Sequence, residues 1–278
     1  MRKTAVYLPG EGSPETFAQV RAQGFDAVDL QLFVDTETPL FTQGAAHFER
    51  TLTALRRAAE AAGIEIAQTH GPWRRPQDTT PADRAERLGK MKMSLRGTAL
   101  LGCRYMAIHP IMPFMYEVDD AQRPLYYEMN RAFFTELIRE AERCGVVICF
   151  ENLPFKGLPT SSPTATAAFV REMASPYFQM CLDTGHSIIL GEAPGEALRR
   201  NADVIRMLHV HDNDRLHDQH RLPYDGVIDW TDFRDALSAV DESVVLSLEC
   251  DVPARMPAPL RDGCRRALCG VARGLAGR

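Results

Sequence analysis

The stretch Gly145-Val146-Val147-Ile148-Cys149-Phe150-Glu151-Asn152-Leu153-Pro154 decides the fold. Five consecutive apolar residues without polar alternation make a strand that is covered on both faces, the condition of a parallel sheet flanked by helices. Gly145 closes the preceding amphipathic stretch at residues 128–143, where a left-handed helix cap favours a residue without a Cβ. Glu151 then ends an otherwise dry run with a carboxylate.

The alternation of helical stretch and short apolar run repeats outward in both directions. Strand patterns fall at residues 4–8, 27–32, 65–70, 105–109, 146–151, 178–183, 205–211 and 244–249. Helical patterns fall at 14–23, 47–62, 81–101, 128–143, 163–174, 195–201, 230–240 and 260–275, and Gly24, Gly63 and Gly102 repeat the role of Gly145. Eight such units predict an α/β protein, a (β/α)8 TIM barrel forming a single domain over residues 1–278. A doubly wound sheet is the rival. The first turn, Leu8-Pro9-Gly10-Glu11-Gly12-Ser13, lacks the glycine spacing of a dinucleotide site and argues against it. The longest unpatterned connection, residues 111–124, follows the fourth strand and reads as a lid.

Composition narrows the classes further. Lys plus Arg number 32 against 37 Asp plus Glu, a net charge of −5, so there is no global positive field for nucleic acid. Apolar runs fall far short of the roughly 18–20 residues of a membrane span, and the start of the chain has no signal-peptide pattern. Seven scattered cysteines without a CxxC pair read as reduced core residues, so the expected location is cytoplasmic. A homo-oligomer is left open.

The chemistry lies at the strand ends. His70, His109, Glu151, Asp183, His211 and Glu249 terminate strands three to eight and would converge on the C-terminal rim, where this architecture builds active sites. Without a counter-ion, burying that many ionisable groups costs several kcal/mol per charge, and a divalent cation converts the cost into ligation. Glu151, Asp183, His211 and Glu249 form an oxygen-rich set with one imidazole, suited to manganese first and to zinc, magnesium or cobalt as alternatives. His209 shares a strand face with His211 one layer deeper and reads as core or as support for the ligands.

In chain order, further motifs are Thr69-His70-Gly71-Pro72, Ile108-His109-Pro110, Cys181-Leu182-Asp183-Thr184-Gly185-His186, His209-Val210-His211-Asp212-Asn213-Asp214, Asp218-Gln219-His220, Gly226-Val227-Ile228-Asp229-Trp230 and Ser247-Leu248-Glu249-Cys250. With Phe150-Glu151-Asn152-Leu153-Pro154 they resemble the xylose-isomerase-like barrels, which include sugar and sugar-phosphate isomerases and epimerases and the endonuclease IV type of apurinic-site nucleases. The resemblance implies one catalytic metal held by Glu151, Asp183, His211 and Glu249, with Glu151 and Glu249 also acting as acid and base. It implies that His186 contacts a substrate oxygen. Two departures stand out: Lys156-Gly157 replaces a substrate-binding glutamate, and His217 stands where an arginine is common.

The nuclease branch implies three zinc ions. His70, His109, Glu151, Asp183, His186, His211, Asp218, His220 and Glu249 match its ligands in type and order, so Asp218, His220 and His186 are additional ligand candidates. The segment Phe33-Val34-Asp35-Thr36-Glu37-Thr38 is acidic where DNA contacts would want basic residues, which argues against nucleic acid.

Trp73-Arg74-Arg75 follows His70 and offers an apolar wall and an anion clamp. Substrate contacts are therefore expected from His186, His70, His109, Trp73, Arg74 and His220. Asp229 reads as a helix cap and Trp230 as structural. The resulting expectation is a metal-dependent isomerase or epimerase of a sugar, sugar phosphate or polyol derivative, working by proton transfer through a metal-stabilised enediolate. The alternatives are the nuclease and a dehydratase or lyase that starts from the same enolate.

Overall fold

A computed structural model describes all residues except Glu11, Arg75, Pro76, Asp251, Ala254 and Arg278. The elements follow as β1 (Thr4–Pro9), α1 (Pro14–Gln23), β2 (Ala27–Gln31), α2 (Pro39–Thr42), α3 (Ala45–Ala62), β3 (Glu65–His70), α4 (Pro81–Leu100), β4 (Tyr105–Ile108) and α5 (Arg123–Cys144). They continue as β5 (Val147–Glu151), α6 (Pro163–Met173), β6 (Phe178–Asp183), α7 (Thr184–Ile189), α8 (Pro194–Asn201), β7 (Ile205–Val210), α9 (Trp230–Ala236) with a 3-10 turn (Leu237–Ala239), β8 (Leu246–Leu248) and α10 (Ala258–Leu275). The eight strands close into one barrel in sequence order, β8 pairing with β1 in parallel. The chain is a (β/α)8 TIM barrel.

Helix starts carry their reasons in the sequence. Thr80 and Asp83 form a reciprocal capping box at α4, Ser13 and Ser162 cap α1 and α6, and Asp229 accepts from the backbone N–H groups of Thr231 and Asp232 at α9. The glycines expected to end helices do so: Gly24 and Gly145 have φ of 106° and 67°. Each leaves the chain pointing back into the sheet within one or two residues. Trp230 is buried and its indole N–H donates to Asp212 at 2.8 Å, the structural role expected of it.

Most boundaries shift by a residue or two, and three differences from expectation have a physical reason. β8 is three residues rather than six, because the carbonyl of Val244 accepts from Arg2 and so lies outside the ladder. The Arg2 guanidinium also takes the carbonyls of Leu237, Val240 and Asp241 at 2.9–3.0 Å, tying the start of the chain to the turn before β8. α5 begins at Arg123, five residues early, since Pro124 occupies its first turn without needing an N–H donor. α7 follows β6 immediately, has only six residues, all buried, and therefore shows no amphipathic period to read.

The core is a ring of apolar contacts between strands and helices, with a smaller cluster of Val118, Tyr126, Leu153 and Leu158 under the loops after β4 and β5. Residues 111–122 are pinned as a wall of the barrel mouth. Asn130 brackets Ile111, accepting from its N–H at 2.9 Å and donating to its carbonyl at 3.1 Å, while Met112 N–H donates to Asp78 at 2.9 Å. Val118 N–H donates to the Gly157 carbonyl at 3.1 Å. A Cβ on Gly157 would meet the Tyr116 carbonyl at 2.6 Å, so glycine lets these two loops approach. Five of the seven cysteines are buried, in keeping with the reading of them as core residues.

Candidate active site and metal centre

The polar strand ends meet at one end of the barrel, where His70, His109, Glu151 and Glu249 line a cavity of about 530 Å³ and Asp183 and His211 lie buried behind it. Glu151, at the end of β5, is its hub. Oε2 lies 3.1 Å from His70 Nε2 and 3.2 Å from His109 Nε2, and Oε1 lies 2.9 Å from His209 Nδ1. The same His209 nitrogen is 3.1 Å from Glu249 Oε2, so one imidazole touches both glutamates expected to act as acid and base. Gln31 donates to the other Glu249 oxygen at 2.7 Å, and Asp29 lies 3.1 Å from His209 Nε2.

A second group forms around Asp183. Its Oδ1 accepts from the backbone N–H of His186 at 2.7 Å, capping α7, and its Oδ2 is 3.0 Å from His211 Nε2. Asn152 fixes the junction of β5 and β6, accepting from Asp183 N–H at 2.8 Å and donating to its carbonyl at 3.0 Å. His186 Nδ1 sits 2.8 Å from the Asn152 carbonyl, which as an acceptor sets that nitrogen as the protonated one. The His211 ring rests directly over Gly185, where a Cβ would come within 2.0 Å of Cε1. It stacks on His220 at 4.2 Å between centroids. Asp218 joins the group from the loop after β7, 3.2 Å from His186 Nε2 and 3.4 Å from His220 Nε2.

Charge follows from these contacts. Burial alone would neutralise Glu151, but the charge of His209 and the hydrogen bonds from three imidazoles outweigh it and hold its carboxyl well below the usual range. Asp183 is likewise lowered, the charges of His186 and His211 outweighing burial. For His186 and His220, burial opposes the proton, but nearby carboxylates, Asp183 and Asp218 for the first and Asp218 and Glu249 for the second, push each up to about 10. His109 is the opposite case. Burial outweighs its bond to Glu151 and lowers it to about 4. The metal-free site thus balances ionised carboxylates with imidazolium.

Ligand atoms lie within 4.8 Å of one another in several sets: His70, His109 and Glu151; Glu151, Asp183, His209 and Glu249; Asp183, His186 and His211; and His211, Asp218 and His220. Of the expected quartet, Glu151, Asp183 and Glu249 fall in one set. His209, not His211, completes the set around both glutamates, and His211 connects through Asp183. A further set joins Glu151 and His209 to Cys181, a buried thiol whose pKa burial pushes up; the remaining oxygen and imidazole donors fit a hard or borderline divalent cation.

The expected substrate contacts His70, His109, Trp73, Arg74, His186 and His220 all line the cavity. The Trp73 ring is 5.8 Å from that of His109, with the Arg74 guanidinium 5.5 Å above it. Arg75, the second half of the expected clamp, and Asp251, beside Glu249, lie outside the described residues, as does Glu11. His217 is exposed and paired with Asp214, and it does not line the cavity. Lys156 is exposed as well. Sequence reasoning missed Asp29 and Gln31. Their signal was present: they alternate in the apolar run Ala27-Val28-Asp29-Leu30-Gln31-Leu32, the period that turns two polar side chains to the barrel interior.

A family model described as "xylose isomerase-like TIM barrel" matches residues 17–267. The chain belongs to that family. An uncharacterised protein of Methanocaldococcus jannaschii, MJ1311, is 25% identical over 195 residues, covering 67% of this chain and 64% of the relative, so the chain spans less than two thirds of that relative's length. Among solved structures, the apo form of the 3-keto-D-glucoside 4-epimerase YcjR from E. coli superposes with a TM-score of 0.77 at 17% identity, over 99% of this chain and 100% of that one. A D-psicose 3-epimerase with D-tagatose from Clostridium cellulolyticum H10 gives 0.76 at 18% identity, over 99% of each chain. At these identities the likeness is one of fold. No helix among the described residues is long and apolar enough to cross a membrane.

Proposed function

We propose that the protein is a divalent-metal-dependent isomerase or epimerase of a sugar, sugar phosphate or polyol-derived carbonyl compound. The observation that carries this reading is the pair Glu151, at the end of β5, and Glu249, just after β8, which reach the same imidazole nitrogen at 2.9 and 3.1 Å. Two carboxylates so placed can flank one carbon of a bound substrate. One removes the proton beside a carbonyl and the other returns it to the opposite face, which inverts the centre, while a single glutamate moving the proton to the neighbouring carbon gives isomerisation.

Glu151, Asp183, His211 and Glu249 would hold the cation, manganese in first place, which when bound supplies a Lewis acid for the substrate carbonyl oxygen. The chain's other groups have separable tasks. His186 and His220 donate to substrate oxygens, His70 and His109 border the same cavity beside Glu151, and Trp73 and Arg74 form its outer edge. Gln31 holds one oxygen of Glu249, fixing the direction in which the other points. Turnover in deuterated water, with manganese and a panel of ketoses, inososes and keto-glycosides, should place deuterium at the carbon next to the carbonyl.

A second reading has its own observation. The four ligand sets together contain all nine residues His70, His109, Glu151, Asp183, His186, His211, Asp218, His220 and Glu249, the ligand complement of a trinuclear site of the apurinic-site nuclease type. Cleavage of an abasic duplex well above the rate of a Glu151→Gln variant, with no isotope exchange into sugars, would replace the isomerase reading with this one.

A further inference from the structure

The cavity is lined by the ionisable strand-end groups, by Arg74, Asp78 and Arg87, and by a set of large apolar side chains. Its outer half is walled by Trp73, Met112, Met115, Tyr116, Leu153 and Phe155. Tyr116 and Phe155 pair with centroids 4.3 Å apart at 30°, and Tyr116 and Trp73 are 47% and 41% exposed. Large aromatic faces left to water at a cavity mouth lose the stabilisation that burial would give them, and grouped exposure of this kind marks a binding surface.

This wall is tied to the fold by hydrogen bonds and packing. Met115, a non-glycine residue, adopts φ of 60°, a backbone conformation that persists only where its surroundings enforce it. Those surroundings are the bonds of Asn130 to Ile111 and of Asp78 to Met112, the tight contact at Gly157, and the apolar cluster of Val118, Tyr126, Leu153 and Leu158 beneath. Rings placed in advance bind a flat partner at a smaller ordering cost. The guanidinium of Arg74 over Trp73, with Gln77 beside it in the lining, adds hydrogen-bond donors at the rim.

A cavity of about 530 Å³ falls in the range that encloses drug-sized ligands. A single monosaccharide held at the glutamates would leave the aromatic half to water. We infer that the substrate is a glycoside, in which the reacting sugar sits at Glu151 and Glu249 and a second ring, linked through oxygen, stacks in the outer half between Trp73 and the Tyr116–Phe155 pair. The inference rests on the carbohydrate reading of the inner half and names the substrate class for it.

The probes are methyl β-D-glucopyranoside, cellobiose and p-nitrophenyl β-D-glucopyranoside, titrated calorimetrically into the purified protein. The sugar ring is shared, and the second ring is absent, a sugar or an aryl group. Either two-ring probe should bind about ten-fold or more tighter than the methyl glucoside, and which of them leads tells a sugar from an aryl partner. In Tyr116→Ala and in Phe155→Leu, each checked for an unchanged melting profile, that ratio should fall toward one. Equal affinity for all three probes, binding of none at millimolar concentration, or a ratio that survives both substitutions would overturn the inference. Deuterium exchange into free ketoses together with equal probe affinities would sink the glycoside and keep the isomerase. Selective two-ring binding without exchange into any keto-sugar would do the reverse.

Discussion

Glu249 is the residue on which the proposed chemistry turns. Glu249→Gln keeps an oxygen ligand and the Gln31 contact but removes the proton acceptor, so kcat should fall about 10²-fold or more and excess manganese should not restore it. Recovery to near wild-type turnover under saturating metal would make Glu249 a ligand only. Asp183 should behave in the opposite way. Its oxygens bond the His186 backbone N–H and the His211 ring, so Asp183→Asn should chiefly empty the site, and elemental analysis of protein prepared without chelator should show sharply less metal than the wild type. Full occupancy in that variant combined with His211→Ala would end the metal assignment. At this scale the sequence was informative wherever a charge interrupts an apolar run, which is why Glu151, Asp183 and Glu249 could be read directly. His209 was read as support for its neighbours. Its contact with both glutamates depends on side-chain reach across three strands, which no single-strand pattern encodes.

Among the elements, the junctions after the strands matter more than the strands. α7 exists because Asp183 caps it while its other oxygen meets His211, so the helix and the candidate ligand group share one carboxylate. Gly185 within it leaves the space that the His211 ring occupies. Gly185→Ala should therefore displace that ring and weaken metal binding about ten-fold or more, as losses of supporting contacts typically do, while circular dichroism stays that of the parent. An unchanged metal affinity would show that His211 is not a ligand. All eight strands were legible from short, predominantly apolar runs, and most helices from their caps and glycines. α2, with four residues, and α7, with six, were not, because segments under two turns show no hydrophobic period. The aromatic wall was equally hidden: Tyr116 and Phe155 are unremarkable in two separate loops and meet only because Gly157 lets those loops touch.

For the molecule as a whole, the balance of imidazolium and carboxylate makes the metal-free form sensitive to pH in both directions. His109, lowered to about 4 by burial, resists a proton that the unfolded chain accepts near 6.5, so stability drops as pH falls between these values. Glu151 and Asp183, held below their ordinary range, add stability that is present above the unfolded carboxylate pKa and lost in more acid solution. His186 and His220, raised to about 10, contribute fully below 6.5 and lose their contribution as pH rises through 10. The chelated protein should accordingly melt highest near neutrality, and metal binding should release protons and strengthen with pH. A melting temperature flat from pH 5 to 9 after chelation would contradict this. The grip of Arg2 on four carbonyls between Leu237 and Val244 has a different consequence, one of time. The strand that is made first finds its second neighbour only when β8 has been made, so on the ribosome the growing sheet carries two unpaired edges until nearly the whole chain has emerged. Synthesis stalled shortly before residue 237 would release a chain with β1 and β7 both open, and chaperone capture should peak in that window and cease once the ring has shut.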